Sequence, residues 1–272
     1  MKGMPGPARA TRILIVAALL AVLGGSAAPA GASAFLPPSD GGSAAPSVAA
    51  GASGTAGATG TAGASGATAV LSAWRGGVDL YRVGVFTTQK TWRWCTAADV
   101  QIMRNIADHR QDHSWAGQQR YYSYMRAHNR YPIPAADGVD PAGWTAGLRH
   151  YVDDRYRRVA SGSFAAALQS AVTSLRRTNL PVGLLVAHGD HAWVLTGFTA
   201  TADPARTSDF TVTSVRVVGP LWGLQSRTYG YDMRPDRKLT PAQLKGFFTP
   251  WHYARIRMAW EGKWVSVQPI GS

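Results

Sequence analysis

Cys95 is the one cysteine of the chain, and it stands in Gln89-Lys-Thr-Trp-Arg-Trp-Cys95-Thr-Ala-Ala just ahead of an amphipathic helical pattern. A thiol at a helix start has its anion stabilised by free backbone N–H groups and the helix dipole, which suits a nucleophile. Asp99, in the next turn, is expected to oppose that stabilisation. Attack on a carbonyl creates a tetrahedral oxyanion that needs hydrogen-bond donors. Gln89, six residues upstream on the loop entering the helix, offers its side-chain NH2 beside the Cys95 N–H. The general base is expected at His191, which opens the apolar run His191-Ala-Trp-Val-Leu-Thr-Gly, an odd place for an imidazole with no chemical task. His188, placed before the turn, is the competitor and is read as a substrate-side or surface residue. Taken singly, Gln89 would be a loop residue and His191 a satisfied polar group; Cys95 is what makes them a set.

Other chemistry fits less well. His109-Arg-Gln-Asp-His113 puts two imidazoles one helical turn apart, but a catalytic zinc would need a third protein ligand, and the pair reads as solvated residues in the last turn of the first helix. Paired-carboxylate catalysis is disfavoured because Glu261 is the only glutamate and the aspartates fall mostly at caps and turns. No phosphate-cradling glycine loop or nucleic-acid motif appears, so neither a cofactor nor a specific nucleic-acid partner is expected. Most of the tryptophans read as core, with Trp94 and Trp193 expected at the site because each lies within two residues of a proposed catalytic group.

Helices must carry Cys95 and strands His191. Ala98, Ile102, Met103 and Ile106 recur at helical spacing after Cys95, which predicts a helix of about three turns. A second helix is predicted over Gln118 to His128, a third from the cap Asp140-Pro141, and a fourth from the cap Ser163. Beyond Pro181 the pattern changes to β-branched and aromatic segments: Val182 to Ala187, His191 to Thr199, Phe210 to Val218 and Trp264 to Gln268, with a short helix from Thr240-Pro241 between strands. The expectation is an α+β fold, a helical N-terminal half packed on a mostly antiparallel sheet, with the site in a cleft between them.

Residues 1 to 34 have the parts of an export signal: Lys2, Arg9 and Arg12, the apolar run Ile13 to Leu23, and small residues ending in Ala-x-Ala sites. Cleavage there would leave no transmembrane span and a secreted, extracellular protein. Residues 35 to 68, almost wholly Gly, Ala, Ser, Thr and Pro, read as a disordered linker. The remaining 69 to 272 has the composition of one domain with a full core. Exported proteins normally spend cysteines in disulfide pairs, so a single cysteine points to a filler, an intermolecular bridge or a reactive thiol. The formal charge of +13, lowered by three when the signal is removed, favours anionic partners such as wall polymers, although the basic residues are scattered rather than striped.

Gln89, then Cys95 six residues on and followed by small residues, and the Gly-Asp-His-Ala-Trp-Val-Leu-Thr-Gly segment after a Pro-Val-Gly-Leu-Leu-Val strand resemble the papain-like cysteine peptidases. Within them the chain looks most like the bacteriocin-processing branch, peptidase family C-39, over most of Tyr81 to Pro220. The resemblance implies a papain-like fold, Cys95 as nucleophile, His191 as general base and later acid, and Gln89 as oxyanion donor. Two departures stand out. Thr96-Ala97 replaces Gly-Pro after the nucleophile, and Val215-Arg-Val-Val-Gly219-Pro220 has glycine where relatives carry the aspartate that orients the histidine. Asp209, Asp190 or a water beside Gly219 are the candidate substitutes. The leading expectation is a secreted thiol hydrolase acting on peptide or cell-wall peptide bonds. The alternatives are a pseudopeptidase kept as a binding domain because Gly219 has cost it turnover, and a cell-wall peptide amidase.

Overall fold

Four of the five helices in the described residues begin at a polar side chain that accepts a backbone N–H. Ser114 accepts from Gly117 at the head of α2 (Trp115–Ala127), Asp140 from Gly143 at α3 (Pro141–Tyr151), and Ser163 from Ala166 at α4 (Phe164–Thr178). Thr240 and Gln243 form a reciprocal capping box at α5 (Pro241–Lys245). The exception is α1 (Cys95–Ala107), whose N-cap residue is Trp94 and which has no side-chain cap. The computed structural model describes residues 73–224 and 232–271. The proposed signal and the proposed linker up to 68 lie outside them.

The fold is α+β, with a seven-stranded sheet whose pairings are all antiparallel among the described residues. The strands are β1 (Gly77–Asp79), β2 (Tyr156–Ser161), β3 (Val182–Val186), β4 (His191–Ala200), β5 (Val212–Val218), β6 (Arg237–Leu239) and β7 (Trp264–Pro269). They run in the order β2-β7-β3-β4-β5-β6, with β1 also paired to β4. Strand β4 is flanked by β3 along His191 to Leu195, by β1 along Gly197 to Thr199, and by β5 from Val194 onward. Both of its edges are therefore bonded over most of its length.

The expected division into a helical half and a sheet half is replaced by three layers. Helices α1, α2 and α3 build one core with Leu185, Ala192, Val194, Val218, Val265 and Val267. Helix α4 and the α5 region build a second with Leu184, Val186, Trp193, Leu195, Val215 and Val217. The alternation along β3 and β4 sends successive side chains to opposite cores, as strand geometry demands. Two strands, β1 and β2, come from the part of the chain expected to be helical. Helix α2 starts at Trp115, three residues before Gln118, because Ser114 supplies its cap. No helix in the described residues is long and apolar enough to cross a membrane.

Candidate active site

Cys95 is the first residue of α1, and the missing side-chain cap leaves the opening turn of that helix without the polar partner that the other helices have. An uncapped helix start presents N–H groups and the positive end of the dipole to whatever lies in front of it. His191 is the first residue of β4, so its ring sits at the end of the sheet with 13% of the side chain exposed. Its Nε2 lies 2.9 Å from Oδ2 of Asp232, and the ring is coupled electrostatically to the Cys95 thiol. With Nε2 taken by the carboxylate, Nδ1 is the atom left for the sulfur. Burial disfavours the charged ring, but the bonds and negative charges of Asp232 and Cys95 outweigh it and raise the His191 pKa to about 10.

Asp232 is the residue that sequence reasoning missed. Its side chain is 6% exposed and the carboxylate takes three donors: His191 on Oδ2, the backbone N–H of Leu221 on Oδ2 at 2.7 Å, and the indole N–H of Trp193 on Oδ1 at 2.8 Å. A carboxylate so bound is held in one orientation and can fix the imidazole in turn. Gly219 is its complement. A Cβ at Gly219 would meet the Asp232 side chain at 2.3 Å, so only glycine leaves room for the carboxylate. The third position is therefore not vacant, as reading Gly219 as a loss implied; a group thirteen residues further along the chain reaches into it. Asp209, the substitute favoured from sequence, is corrected: it is exposed, and its backbone N–H bonds Thr207 in the β4–β5 connection. Asp190 is set aside too, since its charged neighbours are His188, Asp137 and His252.

The remaining candidates divide. Gln89 is buried at 1% exposure, with its backbone N–H on the Pro220 carbonyl, so its loop is tied to the segment that bonds Asp232. Its side-chain NH2 donates to Thr91 O at 2.8 Å and keeps a second hydrogen, while its Oε1 has no partner. Trp94 packs in tilted geometry against Trp115 and Tyr122, ring centroids 5.1 and 5.6 Å away, forming an aromatic face beside the thiol. Trp193 is buried at 3% and supports Asp232, so it does not line a groove. His188 is exposed and bonded to the Pro250 carbonyl, away from the thiol. It belongs to a tight turn in which Ala187, His188 and Gly189 all have positive φ (51°, 59° and 95°). The turn is held by Phe247 O, Thr249 Oγ1 and the ring of Trp251, against which a Cβ at Gly189 would fall at 2.1 Å. His109 and His113 lie beyond the end of α1, not in its last turn, and His109 Nδ1 faces Arg82.

Asp99 is fully buried, and neither carboxyl oxygen has a hydrogen-bond partner. Burial foremost, then the charge of Cys95, push its pKa well above the ordinary carboxylate value; His191 pulls the other way and Asp232 adds to the rise. That direction favours the protonated carboxyl, which opposes a neighbouring thiolate less than a carboxylate would. Hollows of about 430 Å³ at Thr199, Thr213, Ser214 and Lys238, and about 210 Å³ at Gln169, Arg177 and Phe210, lie away from Cys95 and are not the expected cleft. No family model, curated protein or solved structure matches the chain.

Proposed function

We propose that this chain is an exported papain-like thiol hydrolase that cleaves peptide or amide bonds by acyl transfer. The observation that carries the reading is His191 hydrogen-bonded to Asp232 and coupled electrostatically to Cys95, with the thiol at an uncapped helix start. Cys95 as thiolate attacks the carbonyl carbon, and the oxyanion is met by the Cys95 backbone N–H and the Gln89 amide turned from Thr91. His191, protonated and held by Asp232, gives its proton to the departing amine. A water then loses a proton to His191 and attacks the thioester, and the acid product leaves as the thiol is regenerated. The pseudopeptidase alternative drew on Gly219; the Asp232 carboxylate bonded to His191 favours the hydrolase reading over it. The wall-peptide amidase differs in substrate but not in these steps.

The test is the pH dependence of Cys95 alkylation by iodoacetamide, compared with His191→Ala. Rapid labelling that persists well below pH 7 and is lost in the variant is the expected result. It would be followed by a screen against peptide libraries and peptidoglycan, in which both Cys95→Ala and His191→Ala should lack turnover. Slow labelling that rises only above pH 8 would overturn the proposal.

A further inference from the structure

The proposed chemistry uses Cys95, His191 and Asp232 but leaves a fourth ionisable group of the same cluster without a task. Asp99 lies one helical turn below Cys95 on α1, at 0% exposure. Residues four apart lie one above the other on a helix, so the carboxyl faces the same side as the thiol. Both of its oxygens are buried without a partner. A polar group left like that costs the fold about 1–3 kcal/mol relative to a satisfied one. A small apolar side chain would fill a core helix position without that penalty, so the position points to a task other than packing.

The charged groups that face Asp99 are Cys95 on its own helix, His191 on β4 and Asp232 ahead of β6. On α2, which also packs on α1, the titratable Tyr122 interacts with Cys95. A thiolate–imidazolium pair beside the Asp232 carboxylate would carry one net negative charge. A second carboxylate would double that in a buried place, so the proton stays on Asp99 while the pair forms. At higher pH the proton is lost, and the new negative charge then opposes loss of the proton on His191.

We propose that Asp99 is a positioning residue of the Cys95–His191 pair: a buried acid that is neutral while the thiolate forms and whose ionisation on the alkaline side keeps His191 protonated. This rests on the thiol-hydrolase reading for its purpose, because His191 must hold a proton to release the amine. Its physical content stands apart from turnover.

The test follows the His191 imidazole resonances against pH in the full chain and in Asp99→Asn, alongside the acid-side onset of Cys95 alkylation. The substitution should lower the pH at which His191 deprotonates, reducing its proton affinity about threefold or more (roughly half a pH unit). The alkylation onset should stay where it was. An unmoved His191 midpoint would overturn the proposal. So would an alkylation onset displaced to lower pH, since Asp99 would then be ionised already while the thiolate forms. Should Asp99→Asn fail to fold, carboxyl carbon resonances of the parent chain decide the matter. One aspartate should titrate well above the ordinary range and shift in Cys95→Ser, and a set of aspartates that all titrate normally would sink the idea. None of these readouts needs a substrate. An inactive protein with a coupled Asp99 would refute the hydrolase reading alone, and an active one with no coupling would refute the role of Asp99 alone.

Discussion

At the scale of single residues, the triad-like series is completed by a glycine. Gly219 allows Asp232 to lie against β5's end, where its carboxylate meets Leu221, Trp193 and His191 at once. Asp232→Asn removes the charge that stabilises protonated His191, so kcat is expected to fall by about 10²- to 10⁴-fold, and the melting temperature near neutral pH is expected to fall with it as the folded chain loses its hold on the His191 proton. Steady-state kinetics beside a thermal melt would check both halves. Gly219→Asp, which on sequence grounds alone would restore a missing group, is instead expected to push Asp232 aside. Its melting temperature and its Cys95 labelling rate should both drop, and a gain in either would contradict the geometry. The site was legible in part from types and spacing: Cys95 at a helix start and His191 at the head of an apolar strand are where they were expected. Asp232 was not, because it lies 41 residues from His191, outside any strand, where no periodicity or spacing rule applies. The available signal was Gly219 itself, which marks room for a neighbour as readily as it marks a loss.

At the scale of elements, the strongest sequence signals were chemical ones. Asp140-Pro141, Ser163 and Thr240-Pro241 each announce a helix, and each makes the expected side-chain cap. The strands that escaped notice are β1, β2 and β6. The first and last are three residues long, and β2 reads Tyr-Arg-Arg-Val-Ala-Ser with several of its side chains open to solvent, so none offers an apolar alternation to detect. They become strands because a partner edge is present: Arg157 to Val159 pair with Ser266 to Gln268 of β7. The turn between β3 and β4 is where an element's shape bears on chemistry. Two non-glycine residues in left-handed conformation cost about 1–3 kcal/mol each, a strain the 247–252 segment must hold in place. Gly189→Ala would drive a methyl group into Trp251 and shift the start of β4. The expected outcome is a loss of about 2 kcal/mol or more in denaturant stability, with Cys95 labelling slowed because His191 no longer meets the thiol.

For the whole molecule, the buried ionisable cluster ties stability to pH. His191 binds its proton more tightly folded than unfolded, with its pKa raised from 6.5 to about 10. Its contribution is thus complete below pH 6.5, declines above that, and is gone once the pH passes about 10. The raised pKa of Asp99 acts with the same sign, since the folded chain again holds the extra proton and loses the advantage as pH rises. Melting temperature should therefore fall between pH 6.5 and 10, and in His191→Ala the decline over that interval should be shallower. A melt series in both proteins would show it, and an equal slope would mean that the pair does not form. Finally, the two-sided pairing of β4 separates the nucleophile from its base in time when the molecule opens. Amide hydrogens from Val194 to Thr199 lie in a strand bonded along both edges, so they should be among the slowest in the chain to exchange for deuterium. Cys95 hangs on a helix end that no side chain secures. In rising denaturant, fraying of α1 should change thiol reactivity well before β4 begins to take up deuterium.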